Sequence, residues 1–334
     1  MPRTASQTML IHVAAGALVD VHGRVLIAQR PSQVHQGGLW EFPGGKLEPS
    51  ETPQQALARE LAEELGIEIA ACRPLIRVEH DYGDRRVRLD VYRVDAYQGT
   101  PVGREGQPLA WVGPWAMDPA QFPAADRPVI AALRLPSLYL ITGPDPTDTD
   151  AFLGRLDLAL ETGIRLVQLR AHELPDADFS RLARRAYPLC RAAGARLLLN
   201  RDPAAVGDLP CDGVHLTARR LRGLAERPKT PLRLAGASCH DAEELRLAAS
   251  LGLDYALLSP VKPTASHPSA PALGWSGFAN LVASARLPVY ALGGLGPEDQ
   301  ERCFARGGQG IAAIRGLWPG ASRGRVGADC GRRS

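Results

Sequence analysis

The sequence predicts an α/β protein of two domains, the second of them a (β/α)8 barrel. Three observations carry this expectation. The chain has 334 residues, more than one ordinary domain uses. In its second half, short apolar runs alternate with helical stretches, reading LYLIT, RLVQL, RLLL, GVHL, RLAG, DYALL, PVYAL and GIAAI, which makes eight candidate strands. In its first half, the segment GGKLEPSETPQQALARELAEELGI from Gly44 to Ile67 holds a helix with explicit start and stop signals beside a Gly-Gly turn.

The helix is justified residue by residue. Thr52, Pro53 and Gln55 form an N-cap, a first-position proline and a capping-box partner. From Pro53 to Leu65 most residues are strong helix formers, and Ala56, Leu57, Leu61 and Leu65 recur as a core-facing stripe. Gly66 ends the helix. On another face Glu60, Glu63 and Glu64 are neighbours, where like charges repel unless something positive sits among them. An ordinary solvated acidic face is one reading of a bare Glu-x-x-Glu-Glu. A hard divalent cation such as Mg²⁺, which favours carboxylate oxygens and binds alongside phosphates, is the other.

The spacing runs from Gly45 through five residues to Glu51, then through seven to Arg59, Glu60 and Leu61, and on to Glu63, Glu64, Gly66 and Ile67. Every specified position of the Nudix box is filled. Residues from about Met9 to Leu135 resemble the MutT branch of that family, the 8-oxo-dGTP diphosphatases, through LIAQRPSQVHQGGLWEFPGGK, GREGQPLAWV and FPAADRPVIAAL. The resemblance implies an α/β/α sandwich with a mixed sheet. It also implies Mg²⁺, with Mn²⁺ as a substitute, held by Glu60, Glu63, Glu64, Glu105 and the carbonyl of Gly44. Glu60, Glu64 and Glu105 would share the catalytic work, with Glu60 as general base, while Arg59 and Glu51 fix the loop. Substrate contacts would fall on Arg30, His35, Glu41, Phe42, Pro43, Gly44 and Tyr82. Asp126 stands where the family has the asparagine that reads the oxidised guanine, and a carboxylate donates no hydrogen bond unless it is protonated. The implied reaction is attack of an activated water on the β-phosphorus of a nucleoside triphosphate. It releases the monophosphate and pyrophosphate, an activity that cleans the nucleotide pool and so protects DNA replication and repair.

The second domain begins near Pro136, with no Gly/Ser spacer before it. Eight strands separated by helices in about 180 residues suggest a compact TIM-type barrel with its site at the strand C-terminal ends; an open doubly wound sheet is the alternative. The fragments VQLR, LLLN, DGVHL, ASCHDAEEL, DYALLSPVKPT and YALGGL, taken in order, resemble the thiamine phosphate synthase and TenI thiazole tautomerase family. That resemblance implies ligand contacts from Gln168, Arg170, Asn200, Ser238, Thr264, Ser266, Gly293 and Gly294, and a catalytic histidine at His240. The ligand would be a phosphorylated thiazole or a thiamine-related compound. Glycines suit a phosphate loop because a bare backbone lets oxygens approach successive amides. Where the synthase has acidic Mg²⁺ ligands this chain has Arg201, Arg219 and Arg220, and His172 and His267 replace lysines. Cations do not ligate Mg²⁺, so synthase chemistry is not expected. The barrel is read either as a tautomerase or as a non-catalytic binding module, and the hydrolase alternatively as acting on another nucleotide or a thiamine-type diphosphate.

Composition narrows the rest. With 39 Lys and Arg against 36 Asp and Glu, the net charge of +3 is no nucleic-acid-binding signature. The six cysteines show no ligand-type spacing and no secretory leader is apparent, which suggests a reducing cytoplasm. Cys239, adjacent to His240, reads as a buried thiol rather than a nucleophile. No apolar run is long enough to span a membrane. The expected boundaries are 1–135 for the hydrolase, 136–318 for the barrel, and 319–334 for a Gly-, Arg- and Ser-rich disordered tail.

Overall fold

The structure, a computed structural model, describes residues 10–33, 36–144, 146–228, 234–264 and 271–320. His35, Ser266, His267 and most of the expected tail lie outside the described residues. The N-terminal part consists of β1 (Leu10–Leu18), β2 (Val25–Gln29), β3 (Trp40–Glu41), β4 (Gly44–Lys46), α1 (Pro53–Leu65), β5 (Glu68–Asp81), β6 (Arg86–Gln98), β7 (Leu109–Val112) and α2 (Arg127–Arg134). One sheet has the order β4-β1-β6-β5 and is mixed, because β1 and β6 run parallel while its other pairs are antiparallel. A second, antiparallel sheet has the order β3-β2-β7.

Helices cover both sides of these sheets. Ala56, Leu57, Leu61 and Leu65 of α1 are wholly buried and pack on Ala14, Leu18, Leu26 and Val94. Each such leucine contributes roughly 2 kcal/mol by leaving water, and Leu61→Ala would cost roughly 2–5 kcal/mol once the cavity is counted. Val129, Ile130 and Ala132 of α2 pack with Ala15, Ala17, Phe42 and Val91 on the other side. The termini of α1 follow the sequence signals. Thr52 Oγ1 accepts from the Gln55 amide at 3.3 Å, Gln55 Oε1 accepts from the Thr52 amide at 2.9 Å, and Gly66 closes the helix in the left-handed region at φ 71°.

The C-terminal part alternates strands and helices as β8 (Leu138–Ile141), α3 (Thr149–Glu161), β9 (Leu166–Leu169), α4 (Asp176–Ala192), β10 (Arg196–Leu199), α5 (Pro203–Val206), β11 (Gly213–Leu216), α6 (Ala218–Arg222), β12 (Leu234–Cys239), α7 (Ala242–Ser250), β13 (Tyr255–Leu258), α8 (Gly274–Val282), β14 (Val289–Leu292), α9 (Gln300–Phe304) and β15 (Gly310–Ala313). Among the described residues, strands β8 to β15 pair in parallel and close into a barrel, β9 meeting β10 and β15 meeting β8. The eight apolar runs of the sequence are these eight strands. An open sheet is excluded by the closure. Alternate strand residues face inward, and Tyr139, Tyr255 and Tyr290 fill the interior with Leu166, Leu198 and Leu257. Gly236 makes room for one of them, since a Cβ there would meet the Tyr255 ring at 2.0 Å. No helix among the described residues is long and apolar enough to cross a membrane.

Candidate active site

The Gly-Gly turn is held over α1 by the sheet. Ala15 pairs with Gly44 and Ala14 with Gly45 in the β1–β4 register, and the Gly16 amide donates to Pro43 O at 2.8 Å. Both glycines are required by contact. At Gly44, φ is 148° and a Cβ would meet Ala14 O at 2.2 Å; at Gly45 it would meet the Glu60 carboxylate at 2.2 Å.

Arg59 organises the carboxylates. Its Nε and Nη2 donate to the two Glu51 oxygens at 2.8 and 2.9 Å, Nη1 donates to Glu60 at 2.9 Å and to Glu63 at 3.3 Å, and Nη2 reaches Lys46 O at 3.1 Å. One guanidinium thus ties the helix to the turn. These charges and hydrogen bonds hold the Glu51 carboxyl down at about 2 and raise the guanidinium further. Glu64 is different. It is half-buried, its carboxylate accepts from the Gly44 amide at 3.2 Å, and its carboxyl is pushed up to about 7 by burial first, then by the charge of Glu60, with Glu105 and Glu41 adding to it.

The carboxylates of Glu60, Glu105 and Glu41 all act on Glu64, and this mutual repulsion is what a hard cation would relieve. The donor set therefore fits Mg²⁺ chemically. Among the described residues no trio of His, Cys, Asp or Glu is already arranged to hold a metal ion. The reason is local: Arg59 engages Glu60 and Glu63, and the Glu63 side chain is 61% exposed.

A second group of the expected residues lies together nearby. Arg30 pairs with Glu41 through a short contact, Phe42 is buried and stacks on Phe122 at 5.8 Å, and Tyr82 Oη accepts from the Ala125 amide at 3.3 Å. Asp126, next to Ala125 and just before α2, is buried. Burial, then the charge of Glu41, pushes its carboxyl up to about 8 against the opposing effect of Arg30. The structure thus brings Arg30, Glu41, Phe42, Tyr82 and Asp126 together.

In the barrel, Gln168 and Asn200 are buried at the C-terminal ends of β9 and β10, where Asn200 Oδ1 has no hydrogen-bond partner among the described residues. Gly293 and Gly294, at φ 110° and 64°, follow β14; a Cβ would strike Pro260 at 2.9 Å and Pro263 O at 2.8 Å respectively. Arg170 exchanges backbone hydrogen bonds with the Thr142 hydroxyl, and Thr264 is half-buried. Exposed His240 donates from Nδ1 to Ser259 O at 2.8 Å, and its amide is held by Glu244 at 2.7 Å. Cys239 is fully buried and its thiol is pushed up to about 12, chiefly by burial, so it carries no nucleophile.

Sequence reasoning did not single out His215 or the inner tyrosines. His215 Nε2 lies 2.9 Å from Ser238 Oγ and Nδ1 lies 3.1 Å from Tyr255 Oη, which is 2.9 Å from Tyr139 Oη; Tyr139 in turn donates to Gln168. Burial pushes His215 down to about 3, so it is neutral. Its only signal was its place in DGVHL, inward-facing by strand alternation.

Arg201, expected from the resemblance to stand at the position of an acidic ligand, is built into the fold. It donates to Ala171 O at 2.7 Å and Leu174 O at 2.8 Å, and lies 4.0 Å above the Phe179 ring.

Two families are matched by different parts of the chain. The model of the NUDIX domain matches residues 14–132, and that of thiamine monophosphate synthase matches residues 138–317, more than half of the chain. An 8-oxo-dGTP diphosphatase of Proteus vulgaris is 49% identical over 96 residues, 29% of this chain and 86% of that protein. A CTP pyrophosphohydrolase of Escherichia coli is 41% identical over 125 residues, 37% of this chain and 90% of its own length. A putative thiamine-phosphate synthase of Aquifex aeolicus is 34% identical over 182 residues, covering 54% of this chain and 97% of the relative. With a carboxylate-bearing helix and glycine turn in one part and a closed eight-stranded barrel in the other, the chain belongs to the Nudix family by its N-terminal part and to the thiamine monophosphate synthase family by its larger C-terminal part.

Proposed function

We propose that residues 1–135 form a hydrolase unit that converts 8-oxo-dGTP, and dGTP-like triphosphates, to the monophosphate and pyrophosphate with Mg²⁺ or Mn²⁺. The observation that carries this reading is the pair of carboxylates, Glu60 and Glu64, set against the Gly44–Gly45 turn, with the charges of Glu105 and Glu41 close enough to act on Glu64. Glu60, Glu63, Glu64, Glu105 and the Gly44 carbonyl would hold the cation. When bound, Mg²⁺ supplies neutralising charge to the phosphates and acidifies a water. Glu60 receives the proton from the attacking water as general base, and Arg59 fixes its carboxylate against the turn. Arg30, Glu41, Phe42 and Tyr82 hold the nucleoside, and Asp126 reads the base. A protonated Asp126 offers one donor and one acceptor, as an asparagine amide does.

The relative named for CTP favours one competing reading, in which the same site prefers a pyrimidine triphosphate. Hydrolysis of 8-oxo-dGTP, dGTP, CTP and thiamine diphosphate by the full chain, with Glu64→Gln as control, separates these possibilities. A loss of about 10²-fold or more is expected from Glu64→Gln. Equal rates for wild type and variant would sink the assignment, and a higher kcat/KM for CTP would move the preference to pyrimidines.

For residues 136–318 we propose a barrel that binds a phosphorylated thiazole or thiamine-related ligand and lacks synthase activity, because Arg201 is built into the fold where a metal ligand would be needed. Tautomerisation of a thiazole carboxylate phosphate by His240 is the reaction left open to it. Turnover unchanged by His240→Ala would remove His240.

A further inference from the structure

The two elements that carry Asp126 and Tyr82 are also elements that touch the barrel. Helix α2 starts beside Asp126 and, about 12 Å further on, reaches the barrel's lower end. There Leu135, only 6% exposed, packs into the barrel interior with Tyr139, Tyr255 and Tyr290. The carbonyls at the end of a helix have no partner within it. Here Gln309, buried just before β15, donates from Nε2 to Ala132 O at 3.1 Å and to Leu135 O at 2.9 Å. Tyr290 Oη donates to Pro136 O at 2.5 Å. Strand β5, which leads to Tyr82, touches the barrel too, since the Arg73 guanidinium lies 4.0 Å from the centre of the Phe304 ring. Trp115, in the loop that α2 packs on, lies between Arg134 of α2 at 5.2 Å and Arg196 of β10 at 3.7 Å.

At the other end of α2 the Asp126 side chain makes no capping hydrogen bond among the described residues, and the backbone is held within the hydrolase part, by the Asp126 amide on Pro123 O at 3.0 Å and the Ala125 amide on Tyr82 Oη at 3.3 Å. A short, well-packed helix moves as a unit, so a shift at its C-terminal end carries to its N-terminal end. We infer that the barrel acts as a positioning element for the hydrolase: Gln309, Leu135 and Tyr290 clamp the end of α2 and thereby set where Asp126 stands against the substrate base. Gln309 is a positioning residue for base selectivity, although it belongs to the other family's domain. This rests on the reading of Asp126 as the group that meets the base.

The test is steady-state hydrolysis of 8-oxo-dGTP, dGTP and dCTP by the full chain and by Gln309→Met, which keeps the side-chain volume and removes both donors. The ratio of kcat/KM between bases should shift by roughly three- to tenfold, through KM, with kcat for the best substrate nearly unchanged. Simple destabilisation would lower all three rates together and leave the ratio alone. A wild type that distinguishes bases and a variant with the same ratio would overturn the inference alone. A wild type that does not distinguish bases would overturn the Asp126 assignment and the inference with it. Should Gln309→Met fail to fold, Tyr290→Phe removes one hydroxyl from the same clamp and is read by the same ratio.

Discussion

Replacing Asp126 with asparagine should stabilise the protein, and increasingly so as pH rises. The side chain keeps its shape and loses its titratable proton. In the folded chain burial, then the neighbouring charge of Glu41, pushes the Asp126 carboxyl up to about 8 from its ordinary 3.8, with Arg30 opposing. Glu41 is itself raised, by burial against the pull of Arg30. The folded-state value lies above the unfolded one, so the folded chain binds the extra proton between these limits. Its stability is therefore fullest below about 3.8 and declines until pH passes about 8, at about 1.4 kcal/mol per pH unit. The accumulated cost is about 2 kcal/mol at pH 5 and about 4 kcal/mol at pH 7. The amide introduced by Asp126→Asn would carry no such cost, and any fixed difference in its hydrogen bonding cancels in the slope. Denaturant unfolding of both full chains from pH 5 to pH 8 should show the gap widening steadily. A gap independent of pH would refute the reasoning, because it would mean that the carboxyl ionises normally in the fold. The functional counterpart is that Asp126→Asn keeps base selectivity, whereas Asp126→Leu loses it.

Other perturbations test the remaining parts. Arg59→Ala removes the guanidinium that bridges Glu51, Glu60 and Lys46 O; kcat/KM should fall by about 10²-fold, with the far-ultraviolet circular dichroism unchanged. Gly45→Ala pushes a methyl into the Glu60 carboxylate, so hydrolysis should drop at least about tenfold while thermal unfolding moves by only a few degrees. Chelation should abolish turnover and added Mg²⁺ or Mn²⁺ should restore it; activity that survives chelation would contradict the role given to the helix carboxylates.

Much of the fold was legible because its signals are local. The ends of α1 lie in a few adjacent residues, Thr52, Pro53, Gln55 and Gly66, whose backbone preferences act within one turn. Its buried stripe follows from a period of 3.6 residues, and the barrel strands from short apolar runs between helices. The candidate site was legible through spacing, since residues three and four apart on a helix must be neighbours. The geometry around Arg59 was not, because reaching Lys46 O depends on how β4 returns over α1.

By itself the sequence determined the two kinds of unit, the order of their elements, and the carboxylate helix with its glycine turn. Tertiary structure alone decided the upward shift of the Asp126 carboxyl, the chain of contacts from Ser238 through His215 to Tyr139, and the grip of Gln309 on the end of α2. The physical reason is distance along the chain. Desolvation and hydrogen bonding depend on what surrounds a group in space, and Gln309 meets Leu135 across 174 positions of sequence, a separation that no local pattern encodes.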